Sequence, residues 1–451
     1  MIDARNSPPS QSAVRKHKLR TFGKCAKLRR MLNLEENLLE RFLRYVRIFS
    51  ESDSVLAHEG RQPSTPQQFD MAAALSTELK DMGMQDVQTT EFCYTYAVLP
   101  ASAGFEGAPS FCLLAHMDTV DEVSGKDVSP RVFRGYNGGP INLPGGKDSG
   151  PVVLDPAQDE ALAQAGTEHD TVITSDGSTL LGADDKAGIA AVMTALEYLL
   201  KNKDAPHGMI EVLFSPDEET GHGMDHVPLN LIKSRMAYTV DGGHRGELEC
   251  ECFNAFRADV VFKGKSMHTG SARPGMVNAL LMAASFVGSL PRHQMPETTD
   301  GYMGFYAPMS MTGGIESASV SLILRDFSWQ GMEERKNLVT LLSDATARAF
   351  GGTAEVKFEE QYRNMRDGLD KSPLVKENLI RAYRAAGIEP VIVPIRGGTD
   401  GSRLTEMGIP TPNIFTGAHN FHSRYEWASL SQMAQAAEVL VMLAGIWAGA
   451  A

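Results

Sequence analysis

The sequence predicts an α/β fold in which a smaller α+β domain interrupts a larger mixed-sheet domain, and three observations carry that prediction. Apolar runs at Ser110–Ala115, Ile210–Ser215 and Ala237–Val240, set among helical patterns, read as strands covered on both faces. Each run ends directly in histidine or acids: His116-Met117-Asp118, Pro216-Asp217-Glu218-Glu219 and Asp241-Gly242-Gly243, so any site lies along the carboxyl edge of the sheet. From Phe256 to about Asn364 the order becomes β-α-β-β-α-β, that of a ferredoxin-like unit, after which the α/β character returns.

A chain of 451 residues suits two domains better than one core. Hydrophobic residues at 42% and charged residues at 22% are ordinary for a globular protein, and a net charge of -13 argues against nucleic acid as a partner. The five cysteines are odd in number and form no Cys-x-x-Cys pair, which fits a reducing cytoplasm. Residues 1–30 stand apart, with nine Lys/Arg against one Asp and no apolar stretch for a signal peptide; they read as a disordered basic leader before the helix pattern that opens at Met31. No segment reads as a membrane span, and the apolar run Ala437–Ala448 is short and helical in period, as a docked C-terminal helix would be.

In chain order, Glu35–Ile48 shows one helical face, and Ser64-Thr65-Pro66 supplies an N-cap and first-turn proline for a helix that Gly83 stops. Val87–Leu99 reads as one strand and Gly135–Gly150 as a loop. Thr171–Thr174 and Leu180-Leu181 read as a hairpin about Asp176-Gly177, followed by a helix to about Leu200. The inserted domain takes strands at Ala258–Phe262, Tyr306–Thr312, Ala318–Asp326 and Ala354–Phe358 and helices at Met276–Leu290 and Met332–Phe350. Beyond it come a helix at Pro373–Ala386 and strands at Val391–Ile395 and Asn413–Phe415.

The chemistry starts at Asp184-Asp185, adjacent acids between Gly182 and Gly188 at a strand-to-helix turn. Two buried like charges need a counter-charge or they take up protons. One carboxylate has two oxygens, so a single aspartate can hold two divalent ions roughly 3.5–4 Å apart. A lone Asp-Asp-Lys is more often a surface turn, so the other strand ends decide: His116 with Asp118, Glu218 with Glu219, and Asp241 converge on the same edge. A further ligand comes from Gly417–His422, where His419 and His422 are nearly even candidates by residue type alone. Imidazole with carboxylate suits zinc or a similar divalent ion. His222 and His226 lack the helix and the His-Glu-x-x-His pattern of a metal pair, and Gly242-Gly243 and Gly397-Gly398 lack a phosphate-loop context.

The motifs Leu-Leu-Gly-Ala-Asp-Asp-Lys-Ala-Gly (180–188), Pro-Asp-Glu-Glu (216–219), Tyr-Thr-Val-Asp-Gly-Gly (238–243), Val-Asn-Ala-Leu (277–280), Ile-Arg-Gly-Gly-Thr-Asp-Gly (395–401) and Asn-Phe-His (420–422) resemble the di-zinc aminopeptidase, carboxypeptidase and aminoacylase family, from about Leu34 to the end. The resemblance implies a zinc-hydrolase domain of residues 31–253 and 365–451 around a lid and dimerisation domain of residues 254–364. It implies one zinc on His116, Asp184 and Asp241 and a second on Asp184, Glu219 and His422, with cobalt or manganese as alternatives. Asp118 would orient His116, Glu218 would be general base and acid, and the Asp184–Asp185 peptide would be cis, leaving Asp185 to orient the turn or pair with Lys186. His268 would polarise the scissile carbonyl, and Arg325, Arg396 and Asn420 would bind substrate.

The implied activity is release of the N-terminal residue from tripeptides by a cytoplasmic homodimer with no membrane or nucleic-acid partner. Its rivals are a dipeptidase, carboxypeptidase or N-acyl amino acid deacylase of the same family, and an inactive peptide-binding dimer. Two positions depart from the family pattern: Thr269 stands where proline is usual and Ser423 where glycine is usual.

Overall fold

The computed structural model describes residues 27–147 and 150–449, with side chains from Leu34 onward, so the basic leader falls almost wholly outside the described residues. The chain divides into one unit of Met1–Glu249, Gly368–Ile392 and Thr399–Ala451 and a second of Cys250–Asp367 and Val393–Gly398. The crossings lie a few residues from the expected ones. Val393–Gly398, which contains Arg396, goes with the second unit although the sequence reading placed it in the first.

The sheet of the first unit runs in the order Gln85–Thr89, Thr95–Leu99, Ile210–Ser215, Phe111–His116, Ala237–Gly242, Asn413–Phe415, Glu247–Cys252, Val391–Ile395, the chain crossing to the second unit within the last two. Phe111–His116 pairs in parallel with Ile210–Ser215 on one side and Ala237–Gly242 on the other, and His116 lies opposite Ser215. These three strands are buried at almost every position, as their apolar runs require. Their carboxyl ends therefore emerge side by side, and the acids and histidine that follow them are neighbours by construction. The Ala183–Lys201 helix packs on the inner strands and against the Lys27–Tyr45 and Leu430–Trp447 helices. Its Gly188 lies so close to the sheet that a Cβ would run into the Val240 carbonyl oxygen and the Asp185 carboxylate. Leu430–Trp447, longer than the expected C-terminal run, is capped by the Ser429 hydroxyl on the Gln432 N–H and buried along most of its length.

Four local expectations fail for tertiary reasons. Val87–Leu99 is a hairpin, Gln85–Thr89 paired antiparallel with Thr95–Leu99, because Cys93 turns back with φ 71. The Gly135–Gly150 loop contains Ile141–Gly146, which pairs with Gly150–Leu154 and buries Ile141, Leu143, Val152 and Leu154 in a satellite core. Val172–Thr174 pairs with Arg131–Phe133 and Trp427–Ser429, not with Leu180-Leu181. The fourth concerns Ser64, which does not cap its helix. That helix runs Gln68–Met82 from an N-cap at Gln67 without a side-chain hydrogen bond, and Ser64 binds Asp217.

In the second unit the antiparallel order is Phe305–Gly313, Ser317–Asp326, Asn254–Lys263, Thr353–Tyr362, which is the ferredoxin-like arrangement. The Ala279–Ser289 and Trp329–Phe350 helices supply Met282, Phe286, Met332 and Val339 to a core completed by Val260, Phe262, Val320 and Leu322.

Candidate metal centre

His116 closes its strand fully buried. Its Nδ1 lies 3.1 Å from the Asp118 carbonyl oxygen and 3.4 Å from the Asp118 carboxylate, both acceptors, so Nδ1 carries a proton. Nε2 is left to face Asp184 Oδ1 at 2.9 Å and Asp241 Oδ1 at 3.5 Å. On the other side Asp184 Oδ2 is 3.3 Å from His422 Nε2, which is 3.0 Å from Glu219 Oε2. Asp184 thus offers each oxygen to a different imidazole, the two-sided geometry that a bridging carboxylate needs.

The neighbouring acid has a different task. Asp185 accepts the His116 N–H at 3.2 Å on one oxygen and the Gly188 N–H at 3.1 Å on the other. Ligand atoms of His116, Asp185 and Asp241 lie within 4.8 Å of one another, as do those of His116, Asp184 and Glu219, but Asp185 has both oxygens engaged by backbone. The peptide between the two aspartates is cis. Lys186 does not pair with Asp185; its ammonium donates to the Ile48 carbonyl at 2.7 Å.

The turn carrying Glu218 and Glu219 is fixed from beneath. Buried Asp118 accepts the Glu218 N–H at 3.0 Å and the Glu219 N–H at 3.2 Å, so the acid beside His116 also sets this turn. Asp217 enters it with φ 56, held by the Ser64 N–H at 2.7 Å, the Ser64 hydroxyl at 2.5 Å and the Gln68 amide at 2.6 Å. The sequence reading missed this network because Ser64 also fits a helix cap.

Burial together with mutual repulsion leaves the acids short of positive charge. Burial, then Asp241, pushes the Glu218 carboxyl well up; burial, then Asp184, lifts Glu219 to about 8; burial lifts Asp241 to about 6. The hydrogen bonds to Asp184 and Glu219 carry His422 up to about 11. Asp184 itself is lowered, because its bonds to His116 and His422 outweigh its burial. Among the described residues the ion pairs of Asp184, Glu219 and Asp241 are with histidine alone. Glu219 Oε1 is buried with no hydrogen-bond partner. An anionic cluster with an orphaned oxygen and two imidazole nitrogens fits divalent cations, which would displace the protons these shifts imply.

The loop after Asn413–Phe415 separates the two late histidines. His419 is buried, its Nδ1 3.0 Å from His244 Nδ1, its Nε2 3.2 Å from Gln432 Oε1 and its ring stacked on Trp427. His422, at φ 56, is the one brought to the carboxylates. Asn420 donates to Asp159 Oδ2 at 2.9 Å and to the Tyr425 carbonyl at 3.3 Å, which shapes this loop. Ser423 closes it, donating to the Asn420 carbonyl at 2.6 Å. Glu426, which the sequence reading passed over, takes the Leu181, Gly182, Ala183 and Asp184 N–H groups.

In the second unit His268 is exposed and accepts the Gly270 N–H on Nδ1 at 3.2 Å, which puts its proton on Nε2. Arg325 donates to Gln361 Oε1 at 3.0 Å and lies over the Tyr362 ring. Arg396 donates to the carbonyls of Gly301 and Met303 at 2.8 Å and to the Thr299 hydroxyl at 2.9 Å, over the rings of Phe253 and Phe305. These bonds give Arg396 a local structural role.

A doubly facing carboxylate among histidines and acids, at the carboxyl edge of a mixed sheet, defines a metal-dependent hydrolase, and the chain belongs to peptidase family M20/M25/M40, whose description matches residues 169–445. It is a metallopeptidase. Within that family it is similar to peptidase T of Listeria innocua, 42% identical over 92% of this chain and 99% of the relative, and to peptidase T of Bacillus velezensis, 41% identical over the same shares. Its fold is similar to that of a Staphylococcus aureus tripeptidase, with TM-score 0.72 and 22% identity over 92% of this chain and 99% of that one. The Bacillus subtilis YXEP protein, a dinuclear metal binding peptidase, shares the fold at TM-score 0.61 and 13% identity over 92% and 98%.

Proposed function

We propose that the chain is an aminopeptidase that removes the N-terminal residue from tripeptides. The observation that carries the reading is Asp184, one oxygen toward His116 and the other toward His422. We assign one metal ion to His116, Asp184 and Asp241 and a second to Asp184, Glu219 and His422, with zinc the ion that such a donor set favours. The bound ions would supply an acidified water and polarise the scissile carbonyl.

The chain's own residues do the rest. His116 keeps Nε2 free because Asp118 holds the proton on Nδ1. Glu218 takes the proton from the attacking water and delivers it to the leaving amine nitrogen, so hydroxyl joins the acyl carbon, hydrogen joins the amine and the C–N bond breaks. His268, with its proton on Nε2, is the candidate donor to the carbonyl oxygen, and Arg325 the candidate for the peptide carboxylate. Arg396 and Asn420, whose donors are taken locally, are assigned to loop shape. A homodimer through the second unit and a cytoplasmic setting belong to the same proposal; the buried thiols of Cys93 and Cys112 suit a reducing compartment.

Substrate class separates this reading from its rivals. The metal-loaded protein is expected to hydrolyse Ala-Ala-Ala faster than Ala-Ala or an N-acetyl amino acid, releasing free alanine from the amino end. Preference for the N-acetylated substrate would make it a deacylase.

A further inference from the structure

Glu426 grips the turn that carries the bridging aspartate. Its Oε2 accepts the N–H groups of Leu181 at 2.8 Å and Gly182 at 2.7 Å, and its Oε1 those of Ala183 at 2.8 Å and Asp184 at 3.0 Å. Asp184 and Asp185 have non-helical backbone dihedrals, so these four N–H groups precede the regular helix and have no intrahelical acceptor. Gly182, at φ 76, has no side chain to supply one. Glu426 does so from more than 240 residues away. Four N–H groups need four acceptor sites, which the two oxygens of a carboxylate supply and a carboxamide, with one oxygen and an NH2 donor, does not.

Glu426 is also tied to the other ligand loop. Its own N–H donates to the Ser423 carbonyl at 3.2 Å, just past His422, and the Trp427–Ser429 strand that follows is paired with Val172–Thr174. One residue thus joins the Asp184 turn to the His422 loop.

We propose that Glu426 is a positioning residue for the metal centre: by holding the Leu181–Asp184 backbone it sets where Asp184 presents its two oxygens, so its loss weakens both metal ions together. The inference rests on the ligand assignment above. Metal-free protein is titrated with zinc against a chromophoric chelator, and the metal-free unfolding temperature is followed in parallel. Wild type binding two zinc ions upholds the assignment; wild type binding none overturns the assignment, and the inference with it.

Glu426→Gln turns an amide toward backbone donors. Both zinc ions are expected to bind about 10- to 100-fold more weakly, with kcat recovering as zinc is raised and KM for Ala-Ala-Ala unchanged. Unchanged zinc affinity in folded Glu426→Gln, with only a lower unfolding temperature, overturns the proposal, and so does weakening of one ion alone. Should Glu426→Gln not fold, Glu426→Asp keeps the charge and falls one methylene short. It too is expected to weaken both ions, and wild-type affinity there overturns the proposal.

Discussion

Replacing Glu218 by glutamine separates proton transfer from metal holding. The turn is fixed through the Glu218 and Glu219 N–H groups, which Asp118 accepts at 3.0 and 3.2 Å, and not through the Glu218 carboxylate. Glutamine has nearly the same volume, so the backbone and the Glu219 ligand are expected to stay in place. What is lost is a group able to take and return a proton, worth about 10²- to 10⁴-fold in rate. At 1.36 kcal/mol per tenfold this is about 3–5 kcal/mol of transition-state stabilisation. Removing a carboxyl that burial and Asp241 push well up also relieves repulsion, so the metal-free variant is expected to unfold no earlier than wild type. Steady-state kinetics on Ala-Ala-Ala near neutral pH should show kcat down by that factor, KM near wild type and an unchanged metal content. Full activity refutes the proton role. Loss of metal in parallel with activity refutes the division of labour between Glu218 and Glu219.

Two further outcomes follow from the packing around the site. Burial and the neighbouring His244 lower His419 from 6.5 to about 4. The unfolded imidazole therefore binds its proton first as pH falls; the contribution is complete above about 6.5 and is lost toward 4, amounting to about 3 kcal/mol. Urea unfolding of wild type and His419→Asn at several pH values in that window should show a weaker acid dependence in the variant, and equal dependence counts against it. Gly188→Ala would press a methyl on the Val240 carbonyl and the Asp185 carboxylate, and is expected to cost about 3 kcal/mol in stability. Thermal unfolding checks this, and an unchanged transition would show that the helix can move off the sheet.

Much of the fold was legible because its determinants are local. The apolar runs before His116, Glu218 and Asp241 could be satisfied only as strands covered on both faces, and parallel pairing then brought their ends together. The ferredoxin-like order of the second unit was read from alternating periods in the same way. The loops were less legible. Residues 135–150 are polar and glycine-rich, yet Leu143 and Val152 find a core made by Leu162 and Trp427, distant in sequence.

By itself the sequence determined which residue types stand at the strand ends, that two acids share one turn, and that the insertion is a unit of its own. Only the tertiary structure decided between equals. His419 and His422 are the same side chain three residues apart, and the left-handed backbone at Asn420 and His422 sends one to Gln432 and the other to Asp184 and Glu219. Asp184 and Asp185 are likewise identical in chemistry. The backbone N–H groups of His116 and Gly188 engage both oxygens of the second and leave the first facing two imidazoles. Glu426 could not be read at all, because a carboxylate that accepts N–H groups from a distant turn leaves no periodic or motif trace in its own neighbourhood. Residue type is a local property, whereas the partner of a buried charge is chosen by the fold that removes water from it.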